Sequence, residues 1–589
     1  MQLDFRNVNT LWCSILVETL AQLGLTTTVV CPGSRSTPLT VAFANHPNIE
    51  TIPILDERSA AFFALGMAKR SHLPVALICT SGTAGANFYP AIIEAKESKV
   101  PLLVLTADRP PELRNCHAGQ TIDQVKLYGN YCNWYTELSL PSTEITMLRY
   151  LRQMIVTAWD HTLFPYKGVV HLNCPFREPL APIIQPEIEE QVSKIDFKNF
   201  WSNIESGNHK LIGGDYFLSD YLGKWLYIPK GIIIAGVSDS ENWYPYCNNI
   251  NYMSQFLNYP ILAEALSPIR NYRPRKNNII NTYDLILRNP EIAETLVPDV
   301  IIQVGELPTS KELRTWLTQI NPQYWIIDER PDSLDPIHHK THYIRVSVEN
   351  MDLECYDDFD YDAKRDLSYL KQWKAANSQV NKEINQTFSK MKELSETKVM
   401  WLVSKVLPEK TPVFIANSMS VRYAEFFWMP NDRQIMPYFN RGANGIDGTL
   451  STALGIAYKA KSSILITGDL ALLHDTNGFL ISQKFQGHLT IILINNNGGG
   501  IFEMLPISQD KSLFEDYFAT PQNIDFTQLC QTYNIEHILI KNWTQFKKIL
   551  NSLPTTGIRV LELKTERKKD TFWLKNNLDQ LAKLNDFLD

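Results

Sequence analysis

Short apolar runs alternate with amphipathic stretches along most of this chain. Residues 28–32, 49–55, 74–79, 101–106 and 168–173 carry the pattern of buried strands, with helical spacing between them. Only strands covered on both faces read as unbroken apolar runs, so this alternation predicts a parallel sheet flanked by helices. A polar segment over 185–210 interrupts it, and a second series follows at 231–237, 300–304, 325–328 and 342–346. Residues 350–389 are acidic and then mixed in charge with helical spacing, including the run 356–362; they predict a linker with a solvated face running over the surface. A third series occupies 412–416, 463–467, 489–495 and 559–563. The expected architecture is α/β, with three doubly wound parallel-sheet domains over 1–184, 185–350 and 396–589 and a linker over 351–395.

Composition narrows the function. With 589 residues, 44% of them hydrophobic, the chain can bury several cores. A formal charge of -7 from 56 basic and 63 acidic residues gives no footprint for a nucleic-acid backbone. Runs such as 231–237 and 489–494 are far short of the ~20 apolar residues that span a bilayer, and the first residues carry neither a secretory nor an Arg-rich transit pattern. Nine scattered cysteines without a Cys-x-x-Cys pair predict small buried hydrophobes in a reducing, cytoplasmic compartment rather than a disulfide framework.

Two stretches carry chemistry. The runs 464–469 and 489–500 are apolar strands that end in Gly468-Asp469 and in Asn495-Asn496-Asn497-Gly498-Gly499-Gly500. Ligands bind at the carboxyl ends of strands in open parallel sheets, which lets Asp469 and Asn496 converge although they are distant in sequence. A carboxylate, an amide oxygen and a backbone carbonyl form a hard oxygen set suited to Mg²⁺ and, through it, a diphosphate. Taken singly, a helix N-cap and a glycine turn explain the same residues. Neither a Gly-x-x-x-x-Gly-Lys-Ser/Thr loop nor a strand-placed Gly-x-Gly-x-x-Gly is present, which disfavours kinases and dinucleotide enzymes. The second stretch, 52–60, is a strand running into a small-residue helix with Asp56-Glu57 at its mouth, where acidic residues also suit the helix dipole.

Those motifs, their order and the three-block layout resemble the thiamine-diphosphate enzymes, and within them the 2-succinyl-5-enolpyruvyl-6-hydroxy-3-cyclohexene-1-carboxylate synthase family. The matching stretches are 31–38, 56–60, 80–84, 106–114, 440–448 and 495–502, all in the outer blocks. The resemblance implies that Glu57 hydrogen-bonds the aminopyrimidine ring of the cofactor from an apolar pocket that favours its protonated form. It implies that Ile446 holds the cofactor bent, that Thr83, Gly468 and Ile501 help bind it, and that Asp469, Asn496 and the carbonyl of Gly498 hold Mg²⁺, or Mn²⁺ in its place. The family's substrates, 2-oxoglutarate and isochorismate, are dianions, and arginine is the better donor for planar anions. The matching positions are Arg35, Arg109, Arg422 and Arg441 with Ser34, Gln120 and Ser418, and with Phe502 and Leu505 as apolar walls. In the superfamily the pyrimidine domain of one subunit faces the diphosphate domain of another, which implies a homodimer or homotetramer.

Two positions depart from the family pattern. Gly119 stands before Gln120 where Asn is common, which touches the acceptor site, and Leu470 follows Gly-Asp where Gly is common. His117 and His474 lie outside the positions marked as catalytic and are expected to be structural. An acetohydroxyacid-synthase-like ligase, a simple 2-oxoacid decarboxylase and a non-catalytic cofactor-binding scaffold are the alternatives. The four arginines favour dianionic substrates over pyruvate, and intact Glu57, Asp469 and Asn496 argue against a scaffold.

Overall fold

A computed structural model describes residues 3–192, 196–202, 204, 219–238, 240–272, 274, 277–351 and 367–583. The acidic run 356–362 lies outside the described residues. The chain divides into two compact units, one over 1–211, 440–460 and 471–487 and one over 212–439, 461–470 and 488–589.

Unit 1 holds a six-stranded sheet of β1 (Thr27–Val30), β2 (Glu50–Pro53), β3 (Val75–Cys79), β4 (Leu102–Asp108), β5 (Trp134–Glu137) and β6 (Val169–Pro175), in the order β2-β1-β3-β4-β6-β5. Unit 2 holds two more. The central one takes β7 (Gly231–Ala235), β8 (Ile261–Ala263), β9 (Ile279–Ile280), β10 (Val300–Val304), β11 (Gln323–Ile327) and β12 (Thr341–Ile344), in the order β12-β11-β10-β7-β8-β9. The last takes β13 (Pro412–Ile415), β14 (Met436–Tyr438), β15 (Ser463–Gly468), β16 (His488–Asn495), β17 (Glu536–Leu539) and β18 (Gly557–Lys564), in the order β14-β13-β15-β16-β18-β17. Every ladder is parallel. The first and last sheets share one strand order and the central sheet has another, so the three α/β blocks expected from the sequence are of two kinds.

Five strands carry no apolar run that would announce them. β8 and β9 have three and two residues. β5, β14 and β17 are sheet edges; β14 includes Pro437, which only an edge tolerates, and β17 exposes Glu536 and Leu539. The helix Ser368–Lys390 buries a stripe of Tyr369, Trp373, Ala376, Val380, Ile384 and Phe388 in the core of unit 2. Its asparagines also bind the region of β9: Asn377 Oδ1 accepts from Thr282 Oγ1 at 2.8 Å, and Asn381 and Asn281 exchange amide hydrogen bonds. The surface path expected for this stretch therefore describes only one face of the helix. Among the described residues no helix is long and apolar enough to cross a membrane. All eight described cysteines are unpaired and six are buried, with Cys116 exposed and Cys132 half-buried.

In unit 1, two helices from distant parts of the chain pack with almost no side chain between them. The helix Glu57–Ser71 starts at its N-cap Asp56, whose carboxylate accepts from Ser59 N, and ends at His72 in the left-handed region. It lies against the helix Thr449–Ala457, with Gly66 facing the carbonyl of Thr452 and Gly455 facing the carbonyl of Phe63. A Cβ at either glycine would fall inside the opposing backbone. Asp475, fully buried, accepts from Ser451 N at 2.7 Å and Ser451 Oγ at 3.1 Å, and so satisfies the start of the Thr449–Ala457 helix.

Gly66→Ala is expected to lower stability by about 1–3 kcal/mol through overpacking, read as a drop in the unfolding midpoint, and an unchanged midpoint would contradict the close approach. Burial raises the Asp475 carboxyl to about 6, against the opposing hydrogen bonds from Ser451. A carboxyl raised in the folded state loses its contribution as pH rises through the folded value. Relative to Asp475→Asn, the wild type should therefore weaken by up to ~3 kcal/mol between pH 4 and pH 7. Urea midpoints of both proteins at the two pH values check this, and a pH-independent gap contradicts it.

Candidate active site

The doubly wound order leaves a crevice where the chain reverses direction across the sheet, outside the carboxyl ends of the strands. In the first sheet this point lies between β1 and β3, and in the last between β13 and β15. The loops leaving these four strands begin at Cys31, Thr80, Ala416 and Asp469, so Ser34, Arg35, Thr83, Ser418 and Asp469 follow the crevice strands, while Glu57, Arg109, Arg441 and Asn496 follow the neighbouring strands β2, β4, β14 and β16.

In unit 1 the acidic pair after β2 divides its work. Asp56 is occupied by Ser59 N and by Asn477 Nδ2 at 2.8 Å, and Arg58 donates to the carbonyl of His474 at 2.8 Å. His474 thus takes part through its backbone carbonyl. Glu57 makes no side-chain hydrogen bond among the described residues, which leaves it available to a ligand. It is half-buried, so the apolar enclosure expected around it is only partly present in this chain. Cys31 and Cys79 lie near its carboxylate, and burial above all pushes both thiols well up.

The arginines of this crevice are held by the carboxyl ends of the strands. Arg35 is buried, donates Nη1 to the carbonyl of Phe176 at 2.9 Å and faces Glu178 at 3.6 Å, while its Nε has no partner. Arg109 donates to Ser81 Oγ, and burial followed by the charge of Arg35 lowers it from its ordinary value. Two guanidiniums close enough to repel each other make a place that favours an anion. Gln120 donates Nε2 to the carbonyl of Ser81 at 3.0 Å, and Ser34, Thr83, His117 and Gln120 are exposed. The 440–448 motif is tied to unit 1 by Glu94, a residue sequence analysis did not single out: its buried carboxylate accepts from Gly442 N at 3.0 Å and Ala443 N at 2.7 Å. Arg441 and Ile446 are both half-buried, and the Ile446 carbonyl accepts from Thr449 Oγ1 at 2.7 Å.

Unit 2 carries the residues of the expected oxygen set. Asp469, at the end of β15, is 4% exposed and accepts from Leu470 N at 2.9 Å and Gly498 N at 2.8 Å. Burial raises its carboxyl to about 6 against these bonds and the charge of Arg567. Asn496, after β16, donates Nδ2 to Glu396 Oε1 at 2.8 Å, while its buried Oδ1 has no partner among the described residues. A desolvated carboxylate and an orphaned amide oxygen are what a hard cation would satisfy, so the residues fit Mg²⁺. Among the described residues no three His, Cys, Asp or Glu side chains form a metal cage. Gly498, at φ 140°, leaves space that a Cβ would take up at 2.5 Å from the carbonyl of Ala519 and from Arg567. Arg567 clamps the loop, donating to the Asn497 carbonyl at 3.0 Å, Glu503 at 2.7 Å and Glu515 at 2.6 Å. Beyond it Ile501 and Phe502 are half-buried and Leu505 is exposed.

Ser418, after β13, adopts φ 68° and ψ -130°, a conformation costly for a residue with a side chain and therefore a mark of a constrained site. Its carbonyl accepts from Arg422 at 2.6 Å in the helix Met419–Phe427. The far end of that helix is held by the central domain. The fully buried Arg270 donates to the carbonyls of Glu425 at 2.9 Å and Trp428 at 3.0 Å, and to Ala263 O at 2.6 Å. Glu425 in turn accepts from Ala265 N and Tyr283, and burial, then Glu264, pushes its carboxyl up. A cavity of about 850 Å³ in unit 2 lies elsewhere, lined by Gln255, Asn278, Lys374, Asn381 and Met429 among others, none of them a predicted site residue.

Comparison with known proteins agrees with this geometry. Residues 13–127 match the family described as thiamine pyrophosphate enzyme, N-terminal TPP binding domain. Residues 220–415 match the middle domain of thiamine pyrophosphate enzymes, and 417–562 their C-terminal TPP binding domain. The protein named 2-succinyl-5-enolpyruvyl-6-hydroxy-3-cyclohexene-1-carboxylate synthase in Crocosphaera subtropica is 68% identical over 99% of this chain and 100% of its own length. The protein of that name in Rippkaea orientalis is 59% identical over 100% and 99%. A thiamine diphosphate-dependent 4-hydroxybenzoylformate decarboxylase from Rhodococcus jostii superposes with a TM-score of 0.66 over 94% of this chain and 99% of its own, at 15% identity, a likeness of fold alone. This chain belongs to the 2-succinyl-5-enolpyruvyl-6-hydroxy-3-cyclohexene-1-carboxylate synthase family of thiamine pyrophosphate enzymes.

Proposed function

We propose that this chain decarboxylates 2-oxoglutarate and joins the remaining succinyl unit to isochorismate, giving 2-succinyl-5-enolpyruvyl-6-hydroxy-3-cyclohexene-1-carboxylate in menaquinone or phylloquinone biosynthesis. The observation that carries the proposal is end-to-end identity of 68% and 59% with proteins named for that synthase. Thiamine diphosphate, when bound, supplies the electron sink that decarboxylation of a 2-oxoacid needs.

The chain's own residues take the remaining roles. The 1–184 block binds the pyrimidine end of the cofactor, where Glu57 exchanges a proton with the ring; its lack of other partners supports that role. The 396–589 block binds the diphosphate through Mg²⁺, or Mn²⁺ in its place, held by Asp469, Asn496 Oδ1 and the Gly498 carbonyl, with Gly468, Ile501, Thr83 and Ile446 packed on the cofactor. Arg35, Arg109, Arg422 and Arg441, with Ser34, Gln120 and Ser418, bind the carboxylates of the two dianions, while Phe502 and Leu505 cover their apolar faces. The enzyme works as a homodimer or homotetramer in the cytoplasm. Unpaired cysteines suit that reducing compartment.

Glu57→Gln should lower turnover by roughly 10²–10⁴-fold while leaving cofactor affinity within a few-fold. The assay supplies thiamine diphosphate, Mg²⁺ and 2-oxoglutarate, with and without isochorismate, and follows substrate loss and product mass. Wild-type turnover of 2-oxoglutarate that ignores isochorismate and yields no adduct contradicts the synthase assignment. A variant with wild-type rate contradicts the role of Glu57.

A further inference from the structure

An asparagine that ligates a cation has to present one particular end of its amide. Oxygen and NH₂ are nearly the same size, and an amide turned the wrong way aims its donor hydrogens at the metal. Something beside the ligand must tell the two ends apart.

We propose that Glu396 is a positioning residue that locks the Asn496 amide with Oδ1 turned toward the cation. The inference rests on the proposed cation site of Asp469, Asn496 and Gly498. Glu396 is 2% exposed, in the first turn of the helix Glu396–Val406, and its Oε1 accepts from Asn496 Nδ2 at 2.8 Å. With the NH₂ end held there, the buried Oδ1 is the end left without a partner among the described residues. The acceptor is itself fixed from several sides. Thr565 Oγ1 donates to the same oxygen at 3.4 Å, and the Tyr423 hydroxyl also hydrogen-bonds the carboxyl. Ser395, one residue earlier, bonds Asp570 on the helix Arg567–Leu581, whose Arg567 clamps the Asn497 carbonyl. Among the described residues Glu396 alone bonds the ligand's amide, and its helix is tied through Ser395 to a second helix that holds the same loop, the arrangement by which partners behind a metal ligand set its aim.

The test measures Mn²⁺ affinity by electron paramagnetic resonance, on the full-length protein with thiamine diphosphate, without turnover. Glu396→Met keeps the volume and removes the acceptor; Glu396→Gln keeps an acceptor oxygen; Glu396→Ala stands in if the Met variant does not fold, as judged by its unfolding midpoint. The expected result is a 10–100-fold loss of Mn²⁺ affinity for Glu396→Met and recovery to within a few-fold of wild type for Glu396→Gln. In an Asn496→Asp background, where the ligand has no wrong end, removing the Glu396 acceptor should cost far less than in the wild type. Wild-type affinity in Glu396→Met overturns the positioning role while leaving the cation site standing, as does an equal loss in both backgrounds. A wild type that binds no Mn²⁺ in this assay, like Asp469→Ala, overturns the cation site and the proposal with it.

Discussion

A parallel sheet covered by helices on both faces excludes polar chemistry from all but its carboxyl ends, and that exclusion organises this molecule. β16 is buried along seven of its eight residues; its two inner polar side chains, His488 and Thr490, satisfy each other at 2.7 Å, and only Asn495 at the end is half-buried. Side chains within such a strand have no water to meet, so anything that must bind an ion or a substrate is pushed past the strand end, where backbone N–H groups and glycines also gather. The reversal of strand order then selects which ends lie open. In the first sheet the motifs 31–38 and 80–84 leave the two strands at that point, and in the last sheet Ser418 and Asp469 do. In the central sheet the corresponding point, between β7 and β10, is taken by the backbone itself: Gly236 N donates to the Val304 carbonyl at 3.0 Å, and Val237 pairs with Glu306. Gly236 lies so close to the Glu306 carbonyl that a Cβ would not fit.

This explains which parts of the molecule sequence analysis could see. All thirteen apolar runs that it named are strands, and in the inner ones, such as β3, β7, β10 and β13, burial on both faces is written directly into composition. Edge strands such as β17 follow from neighbours elsewhere in the chain, and their own residues carry little trace of it. The ligand candidates were visible because Gly, Asp and Asn at two strand ends form one oxygen set and fall in stretches that resemble the family, although each alone also suits an N-cap or a turn. Their supports were not: Glu94, Asp475, Glu396 and Arg567 are charged residues in helices or at their margins, where a solvated face is the ordinary explanation. Only the fold reveals that Glu94 and Asp475 are buried on backbone N–H groups.

The same contrast separates ligand from scaffold within a single motif. Asp56, Glu57 and Arg58 are adjacent and all charged, yet Asp56 caps a helix and holds Asn477 while Arg58 holds a carbonyl. The middle residue is set apart by what its neighbours already do. Spacing alone cannot express this, since all three residues suit a helix entrance equally well.

Arg270 carries a further consequence, for how the parts of this chain can diverge or be exchanged. The helix that follows Ser418 and bears Arg422 ends in carbonyls whose donors come from a guanidinium about 150 residues earlier in sequence, across a domain boundary. The C-terminal block therefore carries an unmet requirement that it cannot answer from its own residues. A central domain transplanted from a related chain would be accepted only if it presented a cation at this one place, however freely the rest of its surface had drifted. Heredity can vary the two domains separately almost everywhere, but at this buried contact it must treat them as one piece.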